Sequence, residues 1–441
     1  MKAADIKSFL ADEEDLNRDD YLFLTYWFET SQEPQKAAAQ LCSEMSTAQW
    51  QRPGVAEDFR PRFAAKLVYL QVQETSASPS FKSSFNQGER FYRVLVRIAY
   101  PHRNFGPRLP NLLTAICGEG AFFSHDIMAI KLLDIEFPQS YLSHFAGPRF
   151  GIEGIRAALN VYDRPLFFGV VKPNVGLAPE DFAELAYQSW LGGLDVAKDD
   201  EMLCDAEYSP FEKRCRIVGE RCQEAEQKLG VPKIYLVNIT DEVDRLIELH
   251  DKAVELGAKA VMINGMTTGL SAVRMLTKHA SVPVVAHFDF IAPFTRLPFF
   301  GVSSTVITKL QRLAGFDCII MPGFGGRMFT EEDEVLDNVD ACMSDWGELK
   351  RALPAPGGSD WAGTLPLMYE KLRSHEFAMV PGRGVFGHPL GAQAGARSLQ
   401  QAWDAMMSQA SLTAYAKDHL ELKTALEHFG NGHVPDITKK N

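Results

Sequence analysis

Two rhythms of apolar and polar positions divide the chain. From about residue 21 to residue 138, runs of alternating character predict strands at Tyr21–Glu29, Phe63–Gln73, Phe91–Tyr100 and Ile127–Phe137. Helical spacing falls at Pro34–Glu44 and Leu109–Cys117, and a polar segment, Glu74–Glu89, joins the second and third strands. The resulting order, βαββαβ, is that of a ferredoxin-like unit.

From about Pro165 the rhythm changes to short apolar strands alternating with amphipathic helices. The strands fall at Pro165–Lys172, Leu194–Asp199, Lys233–Asn238, Ala260–Asn264, Val282–His287, Cys318–Met321, Ala352–Pro356 and Phe377–Pro381. Helical patterns follow them, as at Pro179–Leu191, Glu242–Leu256 and Ala394–Met407. Eight such units predict a (β/α)8 TIM barrel. The expected organisation is an α/β chain with a ferredoxin-like α+β domain over residues 1–140. A barrel with a C-terminal helical extension follows over 141–441.

Composition narrows the class. The chain has 441 residues, 46% hydrophobic and 23% charged, ordinary globular values that leave room for a large core. Lys plus Arg is 45 against 57 Asp plus Glu, a net charge of −12, which argues against a nucleic-acid or anionic-membrane surface. No apolar run is long enough to span a bilayer, and the first twenty residues lack a signal-peptide core. The seven cysteines form no C-x-x-C pair; their odd number predicts reduced thiols and a cytoplasmic protein.

A barrel places its chemistry at the C-terminal ends of its strands. Those ends carry Lys172-Pro173-Asn174, Lys198-Asp199-Asp200-Glu201, Asn238, Asn264 and His287 with Asp289. Glycine loops follow the last two strands, at Gly357-Gly358-Ser359 and Gly382-Arg383-Gly384. Glycines there let backbone N–H groups approach a phosphate. Period two puts Lys198 and Asp200 on one face of their strand. A lysine beside three acids reads as a solvated loop in most contexts; at a barrel mouth it reads as a site of hard oxygen ligands, suited to Mg2+. Asn238 and Asn264 read as loop caps, and His388, between Gly387 and Pro389, as structural.

At these residues the chain resembles a known family. GGLDVAKDDEM (Gly192–Met202) is similar to the strand-two motif of the ribulose-bisphosphate carboxylase superfamily, and GVVKPNVGL (Gly169–Leu177) to its strand-one motif. GHPLG (Gly387–Gly391) is similar to its strand-eight element, and SEMSTAQW (Ser43–Trp50) to the N-terminal segment that reaches a neighbouring subunit's site. The wording resembles that of the RuBisCO-like, or form IV, branch found in phototrophic sulfur bacteria. The resemblance implies that Lys198 is carbamylated by CO2 and, with Asp200 and Glu201, holds Mg2+. It makes Lys172 an acid/base group and His287 a catalytic residue of strand five. It assigns one substrate phosphate to Gly357, Gly358, Gly382 and Arg383. It also implies a homodimer with shared sites, to which Glu44, Gln49, Trp50 and Glu119 contribute across subunits.

The departures are as informative as the matches. The family's second strand-one lysine is Asn174, the arginine after the strand-five histidine is Phe288, the strand-six histidine is Ile320, and the serine before the strand-seven glycines is Pro356. The strand-six loop lysine is missing, with only Arg327 nearby; a threonine has become Gln49 and an asparagine Glu119. Losing several charged contacts at once predicts no ribulose bisphosphate carboxylation. What survives predicts Mg-dependent proton abstraction α to a carbonyl, an enolase or isomerase reaction on a small phosphorylated, ketose-like metabolite. Related RuBisCO-like proteins act on methylthio-ketose phosphates in methionine salvage. The apolar Phe288 and Ile320 would suit a thioether end, which points to sulfur metabolism.

Three rivals remain open on sequence alone. One is a regulatory, stress or sulfur-metabolism role without catalysis; a second is residual carboxylation. The third follows from Gly382-Arg383-Gly384-Val385-Phe386-Gly387, formally a dinucleotide-binding fingerprint, but a lone match outside a Rossmann half is weak.

Overall fold

The computed structural model describes residues 6–49, 54, 56–82, 88–124, 126–324 and 328–430. They divide into two compact units: residues 1–146 with 290–313 and 346–349, and residues 147–289 with 314–345 and 350–441. The break at Ala146/Gly147 lies close to the expected 140/141, while residues 290–313, counted with the barrel on sequence, pack with the first unit.

The first unit is built on strands β1 (Tyr21–Thr30), β2 (Lys66–Ser76), β3 (Phe91–Pro101) and β4 (Ala129–Glu136). They form an antiparallel sheet in the order β4-β1-β3-β2, with Trp27 opposite Leu95 and Lys131. That is the ferredoxin-like arrangement. Helices Pro34–Glu44 and Leu109–Cys117 stand where their spacing predicts them. The first starts on a Glu33 side chain that accepts from the backbone N–H groups of Gln35 and Lys36. Strand β2 begins three residues later than predicted, because Pro61 starts a helical turn at Arg60–Phe63.

The second unit carries the predicted barrel strands: β5 (Leu166–Val170), β6 (Val196–Lys198), β7 (Ile234–Asn238), β8 (Ala260–Ile263) and β9 (Val284–Ala286). A two-residue strand, β10 (Gly301–Val302), returns to the first unit and pairs parallel with β4. The barrel resumes with β11 (Cys318–Pro322), β12 (Leu353–Gly357) and β13 (Ala378–Met379). The eight strands are parallel in the order β12-β11-β9-β8-β7-β6-β5-β13. The two ends meet, since a Cβ built on Gly357 would lie 3.3 Å from Val380.

Alternate residues of the strands fill the barrel: Leu166, Phe168, Val196, Ile234, Leu236, Ala260, Met262, Val285, Cys318, Ile320, Leu353, Ala355 and Ala378 are all buried. Helix Gly151–Leu159 adds Ile152, Ile155 and Leu159 to this cluster. It is tied to the N-terminal ends of the strands through Asp317, whose carboxylate accepts from Phe150, Gly151 and Val284 backbone N–H at 2.6–2.9 Å. The N-terminal end is therefore plugged, and period two leaves the next inward residues at the other end free for chemistry. No described helix is long and apolar enough to cross a membrane.

Candidate active site

Counting two residues on from the core layer gives the barrel mouth. Val196 leads to Lys198 and Asp200, Leu236 to Asn238, Met262 to Asn264, and Val285 to His287. Lys198 pairs in register with Val170 on one side and Leu236 on the other, so it sits at the centre of its neighbours. Its side chain is fully buried; Nζ donates to the Asp199 carbonyl at 2.8 Å and lies 3.3 Å from Glu201 Oε2. Asp200, also fully buried, accepts from Lys172 Nζ at 2.8 Å. Lys172 donates in addition to Asn174 Oδ1 at 2.6 Å, and its side chain stays 31% exposed, so its amine is open to a ligand. On the far side His287 Nε2 lies 3.3 Å from Glu201 Oε2, and Nδ1 is 3.6 Å from Asp289 Oδ1.

Two lysines and a histidine thus converge on two carboxylates. Burial raises the Glu201 carboxyl, but the Lys198 ammonium, then His287, its backbone hydrogen bonds and Lys172 outweigh it and hold the group at about 2. Glu201 remains an anion under all physiological conditions.

The residue between the inward pair points outward. Asp199 meets Tyr235 Oη at 2.8 Å, the Asn238 backbone N–H at 3.1 Å and Arg214 at 3.3 Å, all buried. Burial raises the Asp199 carboxyl against the pull of Arg214. Arg214, in the first turn of helix Phe211–Leu229, donates also to the Ser209 and Cys204 carbonyls at 2.7 and 2.6 Å. Asn238 Nδ2 lies within hydrogen-bond reach of the Asp200, Glu201 and Leu203 carbonyls, and its Oδ1 accepts from Thr240. Asn238 is therefore the loop cap its sequence suggests, and with Arg214 it fixes the turn that carries both acids. The outward network has a faint signal in sequence: Asp199 and Tyr235 fall on the odd phase of strands whose even phase faces the mouth.

The glycine loops lie next to Lys172. A Cβ on Gly382 would come within 3.1 Å of Lys172 Cε, and one on Gly384 within 2.3 Å of the Asp360 carbonyl. Asp360 carries no motif that marks it in the sequence. It is buried behind these loops and accepts from the Val380 N–H at 3.1 Å; burial pushes its carboxyl up to about 6, while the Val380 and Gly358 N–H groups pull it down. Arg383 is exposed at the start of the short helix Arg383–Phe386. Phe288 stacks on His287, ring centroids 4.7 Å apart and 19° between planes, and packs on the barrel core with Ile320. An apolar floor therefore stands where the resembled family carries an arginine and a histidine.

The mouth brings together Lys172, Asn174, Lys198, Asp200, Glu201 and His287, with Gly382 alongside. Glu44, Gln49 and Glu119 belong to the first unit. Glu44 accepts from Gln40 Nε2, Gln49 bonds the Glu57 carbonyl and the Phe59 N–H, and Glu119 is exposed at the start of a helical turn. Trp50 and Arg327 lie outside the described residues. His388 is structural: its ring bonds the Glu421 carbonyl and the Leu390 N–H.

The donor set fits a hard divalent cation. Asp200 and Glu201 are oxygen donors already organised around positive charge, and His287 with Asp289 lies within ligand spacing of Glu201. A carbamate on Lys198 would turn the ammonium that now faces Glu201 into a third anionic oxygen donor.

Comparison with known proteins agrees over both units. Residues 11–141 match the ribulose bisphosphate carboxylase large chain, N-terminal domain, and residues 151–429 its catalytic domain. A ribulose bisphosphate carboxylase-like protein of Allochromatium vinosum is 59% identical over 432 residues, covering 98% of this chain and 94% of the relative. A protein of the same description from Chlorobaculum tepidum is 52% identical, covering 97% and 98%. Among solved structures, the octameric ribulose-1,5-bisphosphate carboxylase/oxygenase of Pyrococcus horikoshii superposes with a TM-score of 0.87 at 31% identity, covering 98% of each chain.

Proposed function

The chain belongs to the ribulose bisphosphate carboxylase large-chain family, and from that premise we propose that its barrel mouth enolises a small, singly phosphorylated ketose-like substrate without fixing CO2. The observation that carries this reading is the Lys198–Glu201–His287 chain, buried at both ends, beside the Lys172–Asp200 pair. That is the apparatus for moving a proton next to a carbonyl. The apolar Phe288 and Ile320 remove the charge that would grip a second phosphate.

In the reaction a C–H bond α to the carbonyl breaks: its electron pair becomes the C=C bond of the enolate, the carbonyl π pair moves onto oxygen, and the proton passes to Lys172 in its neutral-amine form. A Mg2+ ion held by Asp200, Glu201 and the Lys198 carbamate would supply the charge that stabilises that oxygen. Lys172 carries the proton: Nζ is steered by Asp200 and Asn174 and keeps an open side. His287 steadies Glu201 from the opposite strand. The phosphate lies against the backbone of Gly357-Gly358 and Gly382-Arg383, adjoining Lys172. The apolar floor favours a thioether-terminated chain, hence a sulfur-containing substrate.

The test is a paired assay with purified protein, Mg2+ and labelled bicarbonate. Methylthioribulose 1-phosphate is expected to turn over with no label fixed, and ribulose 1,5-bisphosphate to fix none. Label incorporation from the bisphosphate would refute the reading.

A further inference from the structure

Five of the barrel strands bring polar side chains to the mouth, Lys172, Lys198 with Asp200, Asn238, Asn264 and His287, and among these Asn264 Oδ1 has no hydrogen-bond partner. Asn264 follows β8 directly, as His287 follows β9; Ile263 pairs in register with Ala286, and the His287 N–H donates to the Ile263 carbonyl at 3.2 Å. Asn264 and His287 are therefore side by side at the C-terminal ends of neighbouring strands. Both are more than nine-tenths buried, and Asn264 Oδ1 and His287 Nδ1 are both buried without a hydrogen-bond partner.

The bland account of Asn264 is a helix cap, and the structure does not support it. The turn Gly265–Thr268 has no side-chain cap from Asn264. It is the Asn264 backbone carbonyl that accepts from the Thr267 and Thr268 hydroxyls. Asn238, one strand away, spends its carboxamide on the turn after β6 and on Thr240; Asn264 Oδ1 has no such partner. A buried amide oxygen with no partner destabilises the free protein, and an apolar residue of equal size would not. The group is useful only if a guest supplies the missing partner.

We propose that Asn264 is a substrate-binding residue, which together with His287 holds the hydroxyl-bearing carbons of the substrate chain. The inference rests on the enolisation reading and names which part of the ketose that site reads. An amide oxygen needs an O–H or N–H donor. A phosphate dianion offers none, and neither does a thioether or a methyl group. Two neighbouring hydroxyls satisfy both unpartnered atoms, one donating to Asn264 Oδ1 and the other meeting Nδ1 of the imidazole. The phosphate goes to the glycine loops and the apolar end to the Phe288 side, which leaves the middle of the chain for Asn264.

The test uses calorimetric titration with Mg2+ and bicarbonate present. The probes are ribulose 1-phosphate and its 3,4-dideoxy analogue; the variants are Asn264→Leu and Asn264→Ser. Wild type is expected to prefer the hydroxylated ligand by about 10-fold or more, as two hydrogen bonds warrant. Both variants bring that ratio close to one, and ligand-free Asn264→Leu melts at or above the wild-type temperature. An unchanged ratio in the variants, no preference or no binding in wild type, or a clearly lower melting temperature for Asn264→Leu would each overturn the inference. A wild-type preference lost in the variants, but without enolisation, would sink the enolisation reading and leave Asn264 in its role. Enolisation with a preference that the variants keep would do the reverse.

Discussion

At the residue scale, alternation along a strand decides what each side chain does. Lys198 and Asp200 face the mouth together, as period two requires, and Asp199 between them faces a buried arginine. That much is legible in Lys-Asp-Asp-Glu. Asp360 is not, because its role depends on two backbone N–H groups brought to it by separate loops. Its carboxyl, raised by burial from 3.8 to about 6, binds a proton more readily in the folded chain than in the unfolded one. Its contribution to stability is therefore largest below about 3.8 and falls away as pH rises through 6. Asp360→Asn keeps an acceptor for the Val380 N–H and removes that loss. The stability of Asp360→Asn relative to wild type should rise between pH 5 and pH 8, by an amount on the order of 1–3 kcal/mol. Paired melting curves at the two pH values check it; a flat or falling difference would show that Asp360 is not the buried acid described.

At the element scale, the eight barrel strands and the four long strands of the first unit could be placed from periodicity, because each buries a face with a definite rhythm. Strand β10 could not: two residues, Gly301–Val302, carry no period, and the pairing with β4 is formed across some 170 positions of sequence. The start of β2 is hidden in the sequence because apolar Phe63 extends the pattern backwards into a turn opened by Pro61. Helix Phe211–Leu229 was visible as a helix, but not as the support of the acidic turn, since Arg214 finds its partners only in three dimensions. Removing one member of a buried pair leaves the other charge unpaired. Arg214→Met should therefore cost about 3–5 kcal/mol, read from the urea midpoint, whereas Arg214→Met with Asp199→Asn should recover part of it. A single-variant loss under about 1 kcal/mol would mean that the turn is held by Asn238 alone.

At the scale of the whole molecule, one unit holds a complete polar cluster at a barrel mouth, and the other holds candidate residues whose role was inferred by resemblance. Family motifs spread over both units make membership readable, and Phe288 and Ile320 motivate the proposal of a singly phosphorylated substrate. The proposed role of Asn264 is not legible in the sequence, because an asparagine at a strand end looks alike whether it caps a loop or awaits a ligand. Under the enolisation proposal, Lys198 and its two acids form a metal-dependent site for moving a proton α to a carbonyl. The most direct measurement is wash-in of solvent deuterium, followed by NMR, into methylthioribulose 1-phosphate in D2O, with and without Mg2+ and bicarbonate, for wild type and Lys198→Ala. Exchange at the α carbon that needs the metal and falls by about 100-fold or more in Lys198→Ala is the predicted result. Exchange that persists in Lys198→Ala or without metal, or no exchange in the wild type, would contradict it.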